Sequence, residues 1–474
     1  MMRFCRSLTV LVGVSLLGAC ASTTPAELAS AAPAPERARN VILFIGDGMG
    51  VSTVTAARIY AGQKQGHTGE ENLLSFEKFP QTALVKTYNT NAQVPDSAGT
   101  ATAINSGEKT RMGVIGIGPA ARRGQCREAL AHPLSLVAEE AHRGGRAIGI
   151  VTTTRLTHAT PAAVFAHSSD RDWEADGDIL AAQRAQGCRD IAAQLVDFPF
   201  AVALGGGHEK FVAKSRGGDR LDGAADLPER WVADHGGSYV ESADALARAP
   251  HDRPVLGIFS PSHMTYMAER TPESAEPTLT QMTAEAIDRL NQNPQGYYLM
   301  VEGGRIDHAH HENRAGYALE ETVEFARAVQ YAVEHTDPAK TLILVTADHS
   351  HVFTMAGYPR RGNPILGLVV PPSGDDDEHG GAETDGAPVM AKDGQPYTTL
   401  GYANGPAAVK GPRSRPETGV QAHQQSLVPL GSETHGGEDV ALYATGPGSD
   451  NVHGVIEQNQ IGAIMRAALG LSGE

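Results

Sequence analysis

Eight runs of apolar β-formers punctuate the chain: Val41–Ile45, Ala83–Thr87, Ala147–Val151, Phe200–Leu204, Val255–Phe259, Tyr297–Val301, Leu342–Val345 and Val440–Ala444. Stretches with helical periodicity lie between several of them, at Ser135–His142, Asp178–Val196, Leu279–Asn291 and Ala315–Val333. This alternation predicts an α/β fold, with a large central, mostly parallel sheet covered by helices on both faces. No internal repeat is visible. Residues 357–434 break the alternation with Pro371-Pro372, paired glycines and isolated turn signals. They read as an inserted subdomain on the rim of the active site. Its acidic run Asp375-Asp376-Asp377-Glu378 reads as a solvated loop rather than a cation site.

Three of the predicted strands end in groups that bind metals. Leu342–Val345 runs into Thr346-Ala347-Asp348-His349-Ser350-His351. Tyr297–Val301 runs into Glu302, Asp307, His308, His310 and His311, and Val41–Ile45 into Gly46-Asp47-Gly48. The C-terminal edge of an open α/β sheet is where ligands bind. Three such ends, far apart in sequence, point to one polynuclear metal site.

The chain has 474 residues, enough for one large α/β core with insertions. Its formal charge of −16 argues against a nucleic-acid surface, which is basic. A local phosphate remains compatible with that charge, because metals supply positive charge where it binds. The N-terminus has the form of an export signal, with Arg3 and Arg6 before the apolar run Leu8–Leu17, too short to span a bilayer. Leu17-Gly18-Ala19-Cys20 fits a lipobox that would lipidate Cys20; cleavage after Ala21 is the alternative. Residues 1–20 are thus a signal and 21–38, rich in Ala, Pro and Ser, a flexible tether. The expected location is exported, periplasmic or lipid-anchored. Beyond the signal only Cys126 and Cys188 remain, and an even pair in an exported protein is most simply a disulfide. Two buried free thiols are the alternative.

In Val94-Pro95-Asp96-Ser97-Ala98-Gly99-Thr100-Ala101-Thr102-Ala103, a small-residue run able to form a helix follows Pro and Asp. Ser97 then falls near a helix N-terminus, where backbone N–H groups favour an anion. Such a serine is often only a cap. Nearby metals would make it a nucleophile, since they lower the pKa of a coordinated hydroxyl. Asp307 and His311 are four apart, on one face of a helix beginning there. With a distant His they suit Zn²⁺, and Asp47, Asp348 and His349 allow a second mixed site. Glu302 and Thr160 are oxygen donors for a harder ion.

These segments resemble the alkaline phosphatase family, its animal branch more than the short enteric bacterial enzymes. The matching stretches are Val41–Ala57 (VILFIGDGMGVSTVTAA), Val94–Ala103 (VPDSAGTATA), Val151–Arg171 (VTTTRLTHATPAAVFAHSSDR) and Val301–His311 (VEGGRIDHAHH). Val345–Phe353 (VTADHSHVF), Tyr397–Pro406 (YTTLGYANGP) and Glu433–Val440 (ETHGGEDV) complete the set. The resemblance implies one alkaline phosphatase domain over residues 39–474, with 357–434 as its crown-like insertion. It implies broad hydrolysis of phosphate monoesters through a phosphoserine, with two Zn²⁺ and one Mg²⁺. By motif, Ser97 matches the nucleophile. Asp307, His311 and His435 match the ligands of the first zinc, and Asp47, Asp348 and His349 those of the second. Asp47, Thr160 and Glu302 match the magnesium set. His158 stands where animal enzymes carry a metal-side histidine. Arg171 matches the arginine that grips two phosphate oxygens, and His308 the animal residue beside the phosphate. Cys126 and Cys188 fall where the animal branch pairs cysteines. Tyr358 matches a tyrosine that reaches across the family's homodimer. Two features depart from the animal pattern. Ser260 replaces a glutamate of the extra calcium site, with a shorter loop after Gly207, and the long N-terminal helix that embraces the dimer partner is missing.

Two other functions share some of these features. A phosphodiesterase or phosphoglycerate mutase of the same superfamily would keep the metal ligands, but with a different nucleophile context. A non-catalytic surface lipoprotein would be expected to lack a ligand or the serine, and neither is missing.

Overall fold

A computed structural model describes residues 37–221, 226–372 and 386–471. The export signal, Cys20, all but the end of the 21–38 tether and the acidic run 375–378 lie outside them. In chain order the strands are β1 (Asn40–Gly46), β2 (Gln81–Lys86), β3 (Ala147–Arg155), β4 (Val202–Gly206) and β5 (Ser238–Val240). Next come β6 (Val255–Ile258), β7 (Tyr297–Glu302), β8 (Thr341–Ala347), β9 (Ser350–His351) and β10 (Phe353–Met355). The last five are β11 (Leu400–Gly405), β12 (Ser426–Pro429), β13 (His435–Gly436), β14 (Val440–Thr445) and β15 (Gly454–Glu457).

Ten of these strands form the large sheet, in the order β15-β2-β14-β8-β1-β7-β3-β4-β6-β5. All pairs are parallel except those of β14, which runs against both its neighbours. Burial explains the pattern. Every residue of β1, β7 and β8 is buried, as parallel strands with helices on both faces require. By contrast β14 alternates buried and half-buried positions, as expected with one face covered. The eight predicted strands are all present. The two strands of this sheet that had not been predicted, β5 and β15, are short and form its two edges. Edge strands carry few apolar side chains, so they leave little signal.

One predicted helix is broken. Asp178–Val196 forms two short helices, Ala181–Arg184 and Ile191–Asp197. Gly187 between them adopts φ +98, a conformation glycine takes without strain. The second helix restarts on an Asp190 cap, whose carboxylate accepts from the Ala193 N–H at 2.8 Å. The break also places Cys188 against Cys126, with which it forms a disulfide at a Cα separation of 5.8 Å. The link closes a span of 62 positions. Cys188→Ser should therefore cost ~4 kcal/mol in the chain-entropy account. Denaturant midpoints of wild type and variant measure this, and equal midpoints would assign the link no stabilising role.

Residues 357–434 supply β11 and β12, which with β10 make a separate three-stranded sheet. The chain returns from it through β13. There an antiparallel pairing sets His435 opposite His351 in β9.

Candidate active site and metal centre

The central strands β8, β1 and β7 end at one level, and β3 beside them runs three residues further, to Arg155. Ile45 is in register with Glu302, Gly46 with Ala347, and Thr152 with Glu302. The residues at or just past those ends therefore converge: Asp47, Glu302 and Asp348-His349. Gly48 makes the turn possible with φ +68; a Cβ there would lie 2.3 Å from His351 Nε2. The helix Arg305–His311 follows β7 and carries Asp307 and His311 on one face, as its spacing predicts. β13 delivers His435.

Ser97 is the first residue of the helix Ser97–Ser106. Asp96 caps that helix, accepting from the Gly99 N–H at 3.1 Å, and also accepts from Asn89 at 2.9 Å and the Gly113 N–H at 2.9 Å. Its second oxygen holds Arg171 Nη1 at 3.2 Å. One carboxylate thus fixes both the helix start and the arginine. Ser97 is buried, with Oγ 3.1 Å from His349 Nε2 and 3.4 Å from Asp47 Oδ1.

The imidazoles identify the site as one built for cations. His311 Nδ1 lies 2.6 Å from the Glu433 carbonyl, and His435 Nδ1 2.8 Å from the Pro95 carbonyl. A carbonyl only accepts, so both Nδ1 atoms carry the hydrogen and both Nε2 atoms carry lone pairs. Those two lone pairs face each other at 3.2 Å, and each faces Asp307 Oδ1, at 3.3 and 3.4 Å. His349 repeats the arrangement. Its Nδ1 is 3.2 Å from the Ser350 carbonyl, and its Nε2 lies 3.3 Å from carboxylate oxygens of both Asp47 and Asp348. Acceptors facing acceptors repel unless a cation lies between them. For ligand bonds of about 2.0–2.1 Å a tetrahedral site has ligand–ligand edges of about 3.3–3.4 Å, matching these separations. Zinc fits both donor sets.

A third group is richer in oxygen. Asp47 Oδ2, Glu302 Oε1 and Thr160 Oγ1 are buried and have no hydrogen-bond partner among the described residues. Thr152 and Thr154 hold the other Glu302 oxygen, Thr154 at 3.1 Å. Such a set suits a hard divalent cation. His158 stands beside it, with Nδ1 also buried and unpartnered. Arg171 Nη2 donates to His158 Nε2 at 3.1 Å. That leaves the hydrogen of the neutral ring on Nδ1, so His158 faces the group as a donor.

The electrostatics agree. Burial, then Asp348, Asp307 and Glu302, push the Asp47 carboxyl well above the usual carboxylate range. Burial raises Asp348 as well, and pushes Glu302 up to about 7. Burial also opposes charge on Asp307, yet the surrounding His311, His351 and His435 hold its carboxyl well below the usual range. Burial keeps His349 and His158 neutral, helped by His435 and by Arg171 respectively.

The predicted residues Ser97, Arg171, Asp47, His158, Thr160, Glu302, Asp307, His311, Asp348, His349 and His435 thus meet in one place. His308 borders them; its ring centroid is 5.5 Å from that of His158. Tyr358 is outside the constellation, 76% exposed on the surface with φ +55. Ser260, at the departed calcium position, donates instead to the Ser262 carbonyl at 2.8 Å.

His351 holds a ligand rather than a metal, and Glu433, Asp96 and His263, which had received no role from sequence, join it. His351 bridges Asp307 at 2.8 Å and Glu433 at 2.5 Å. Burial opposes its charge, but the two carboxylates win and push its pKa up to about 10, so it clamps Asp307 as an imidazolium. Asp96 anchors Arg171. His263 packs edge-on against His308, with ring centroids 4.2 Å apart, and helps line a cavity of about 720 Å³ with Arg305, His308 and His311. That cavity opens beside the metal ligands and gives room for a leaving group.

A parallel sheet whose catalytic edge gathers cation-binding donor sets and a helix-start serine defines a metal-dependent hydrolase. The alkaline phosphatase family profile matches residues 38–471. The chain is 46% identical to the tissue-nonspecific alkaline phosphatase of Gallus gallus, over 90% of this chain and 83% of that protein. It is 43% identical to the Homo sapiens counterpart, over 91% and 83%. Among solved structures it is similar to the alkaline phosphatase of Thermus thermophilus, at 25% identity and TM-score 0.66, covering 93% of each chain. The enzyme from the Antarctic bacterium TAB5 shares the fold, with TM-score 0.64 and 21% identity, over 93% of this chain and all of that one. The chain belongs to the alkaline phosphatase family, on its animal-type side, and hydrolyses phosphate monoesters.

Proposed function

We propose that Ser97 is the nucleophile of this hydrolysis, that Asp307, His311 and His435 hold one Zn²⁺, and that Asp47, Asp348 and His349 hold a second. Asp47, Thr160 and Glu302 would hold Mg²⁺, with His158 donating toward that ion's surroundings. The observation that carries the reading is the set of imidazole lone pairs turned toward carboxylates and toward Ser97 Oγ. When bound, the metals supply positive charge that lowers the pKa of a coordinated hydroxyl and neutralises a leaving oxygen. The chain's own groups do the rest. Ser97 Oγ attacks phosphorus in line as the bond to the leaving oxygen breaks, forming a phosphoserine. Water then displaces Oγ, restoring the serine and releasing inorganic phosphate. The helix N-terminus at Ser97 attracts the anion, and Arg171, held by Asp96, grips two non-bridging oxygens. His308 lies beside the bound phosphate.

Broad acceptance of monoesters follows from the open cavity of about 720 Å³, which leaves the leaving group largely unrecognised. The enzyme would act as an exported, periplasmic or lipid-anchored protein. It would be a homodimer in which Tyr358 reaches the second chain, with residues 357–434 as the crown.

Elemental analysis with matched aryl monoester and diester assays tests the reading. Two zinc and one magnesium per chain are expected. Arg171→Ala should weaken monoester hydrolysis by ~1.5–3 kcal/mol, the cost of a charged hydrogen bond. Diester hydrolysis should suffer less, because a diester has given one of those oxygens to carbon. Equal losses in kcat/KM for both substrates would remove Arg171 as the discriminating group.

A further inference from the structure

At the opposite edge of the sheet from the metal ligands lies a second cleft, of about 660 Å³. Arg37, Arg143 and Arg146 line it, with Glu140, Leu469 and Gly470. Arg37 stands just before β1 and Arg146 just before β3, so both sit at the strands' N-terminal ends. β1 has 7 residues, which puts the cleft roughly 20 Å or more from Asp47 at its other end.

The cleft is strongly cationic. Arg37, Arg143 and Arg146 form no ion pair among the described residues, although Glu139 and Glu140 lie near enough to Arg143 for its charge to lower their carboxyl pKa values. The one acid lining it, Glu140, is already paired with Arg466 through two contacts of 2.8 Å. Arg146 is half-buried and donates only to carbonyls, to Leu469 at 2.7 Å and Arg39 at 3.4 Å. The Arg37 guanidinium packs against Gly470, where a Cβ would meet its Nη1 at 2.8 Å. Arg39, the next arginine, likewise bonds only a carbonyl, that of Asn293 at 2.8 Å. Three guanidinium groups without an ion pair among the described residues outweigh the nearby Glu139 and Glu140, and on a chain of net −16 they make a local anion site. The net charge does not cancel it, since screening limits its reach to about 8 Å at physiological salt.

We propose that this cleft docks the enzyme on a membrane surface by binding the phosphodiester headgroups of anionic phospholipids. The proposal rests on the export reading, and the position of the cleft favours lipid over a soluble anion. Arg37 is the first described residue, 17 positions after the candidate lipidation site Cys20. Seventeen residues span at most ~60 Å, so an anchored chain keeps Arg37 within that reach of the headgroups. With the cleft against the membrane, the catalytic edge faces away from it, open to soluble substrates. A phosphodiester headgroup also makes little use of the catalytic site, whose arginine is suited to a terminal phosphate.

Purified Cys20→Ser protein, free of any lipid, is titrated with vesicles of phosphatidylcholine alone and with vesicles containing phosphatidylglycerol at a third of the lipid. Cosedimentation should be tighter on the anionic vesicles and should disappear in 0.5 M salt. The exposed pair Arg37→Gln with Arg143→Gln should weaken it by about tenfold or more, leaving aryl-phosphate turnover and thermal stability unchanged. Equal partition onto both vesicles, or an undiminished double variant, overturns the proposal. The full chain is compared in parallel by detergent partition. If it behaves like Cys20→Ser there, the lipidation reading fails while the headgroup site stands or falls on the vesicle result.

Discussion

Ser97→Ala is expected to lose turnover of an aryl phosphate by at least ~10³-fold in kcat, about 4 kcal/mol of barrier. The geometry leaves no substitute for the hydroxyl. Thr100 Oγ1, one turn along the same helix, is committed to the Asp96 carbonyl at 2.9 Å and the Ser97 carbonyl at 3.1 Å. Alanine leaves the Asp96 cap, the helix N-terminus, Arg171 and all proposed ligands in place. Substrate binding should therefore survive, and KM should move far less than kcat. Residual catalysis by the remaining groups, of the sort left when other covalent nucleophiles are deleted, sets the floor. The decisive measurement is the covalent intermediate, trapped by acid quench with labelled substrate. Wild type should carry label on Ser97 and the variant none. Full labelling of Ser97→Ala protein would move the nucleophile elsewhere in the chain.

The central sheet was legible because burial on both faces forces continuous apolar runs, and β1, β7 and β8 are such runs. Their catalytic ends were legible for the complementary reason. Asp47, Glu302 and Asp348-His349 place charge directly after strands that tolerate none. Edge strands β5 and β15 have neither property. The mistaken continuous helix at Asp178–Val196 came from apolar spacing on both sides of a break that Gly187 and Asp190 mark. Asp190 is itself held by the buried Arg220 at 2.7 Å, a partner 30 positions away that local periodicity does not reveal.

Within the site, individual ligands were easier to identify than the groups that hold them. Asp307 and His311 lie on one turn of helix, so spacing alone pairs them. His351 and Glu433 act only through a contact spanning 82 positions, made when β9 pairs with β13. The one signal available was proximity in sequence to ligands, His351 two residues after His349 and Glu433 two before His435. Resemblance to the family supplied His435 and Arg171 where spacing could not. Asp96 illustrates a different limit. The sequence offered Ser97 as the possible helix cap, whereas the cap is Asp96, and the second role of Asp96, orienting Arg171, appears only when residues 75 positions apart meet.

Removing the metals is expected to abolish activity and to destabilise the protein more at neutral than at mildly acid pH. Asp47, Glu302 and Asp348 are fully buried and close together, and burial with mutual repulsion raises all three carboxyl pKa values, Glu302 to about 7. In the metal-free protein their folded pKa values thus lie above the unfolded ones. What stability they allow is present at low pH and is lost as pH rises through the folded values. His351, raised from 6.5 to about 10, acts in the same direction at higher pH. Asp307 acts oppositely, but its lowered pKa confines that effect to acid. Bound cations reverse the dependence, since they require deprotonated ligands and so bind better as pH rises. At a metal concentration 1,000 times its dissociation constant, each site adds ~4 kcal/mol to stability. Between pH 5 and pH 7, below the folded Glu302 value, the gap in unfolding free energy between metal-loaded and chelated enzyme should widen by ~1.4 kcal/mol per pH unit for each proton displaced. Denaturant melts of both forms at the two pH values measure the gap, with restored turnover after adding zinc and magnesium as the check that chelation was reversible. A gap that stays constant would mean that the buried carboxylates are not what the cations neutralise. Undiminished turnover in protein shown to be metal-free would remove the metals from the mechanism altogether.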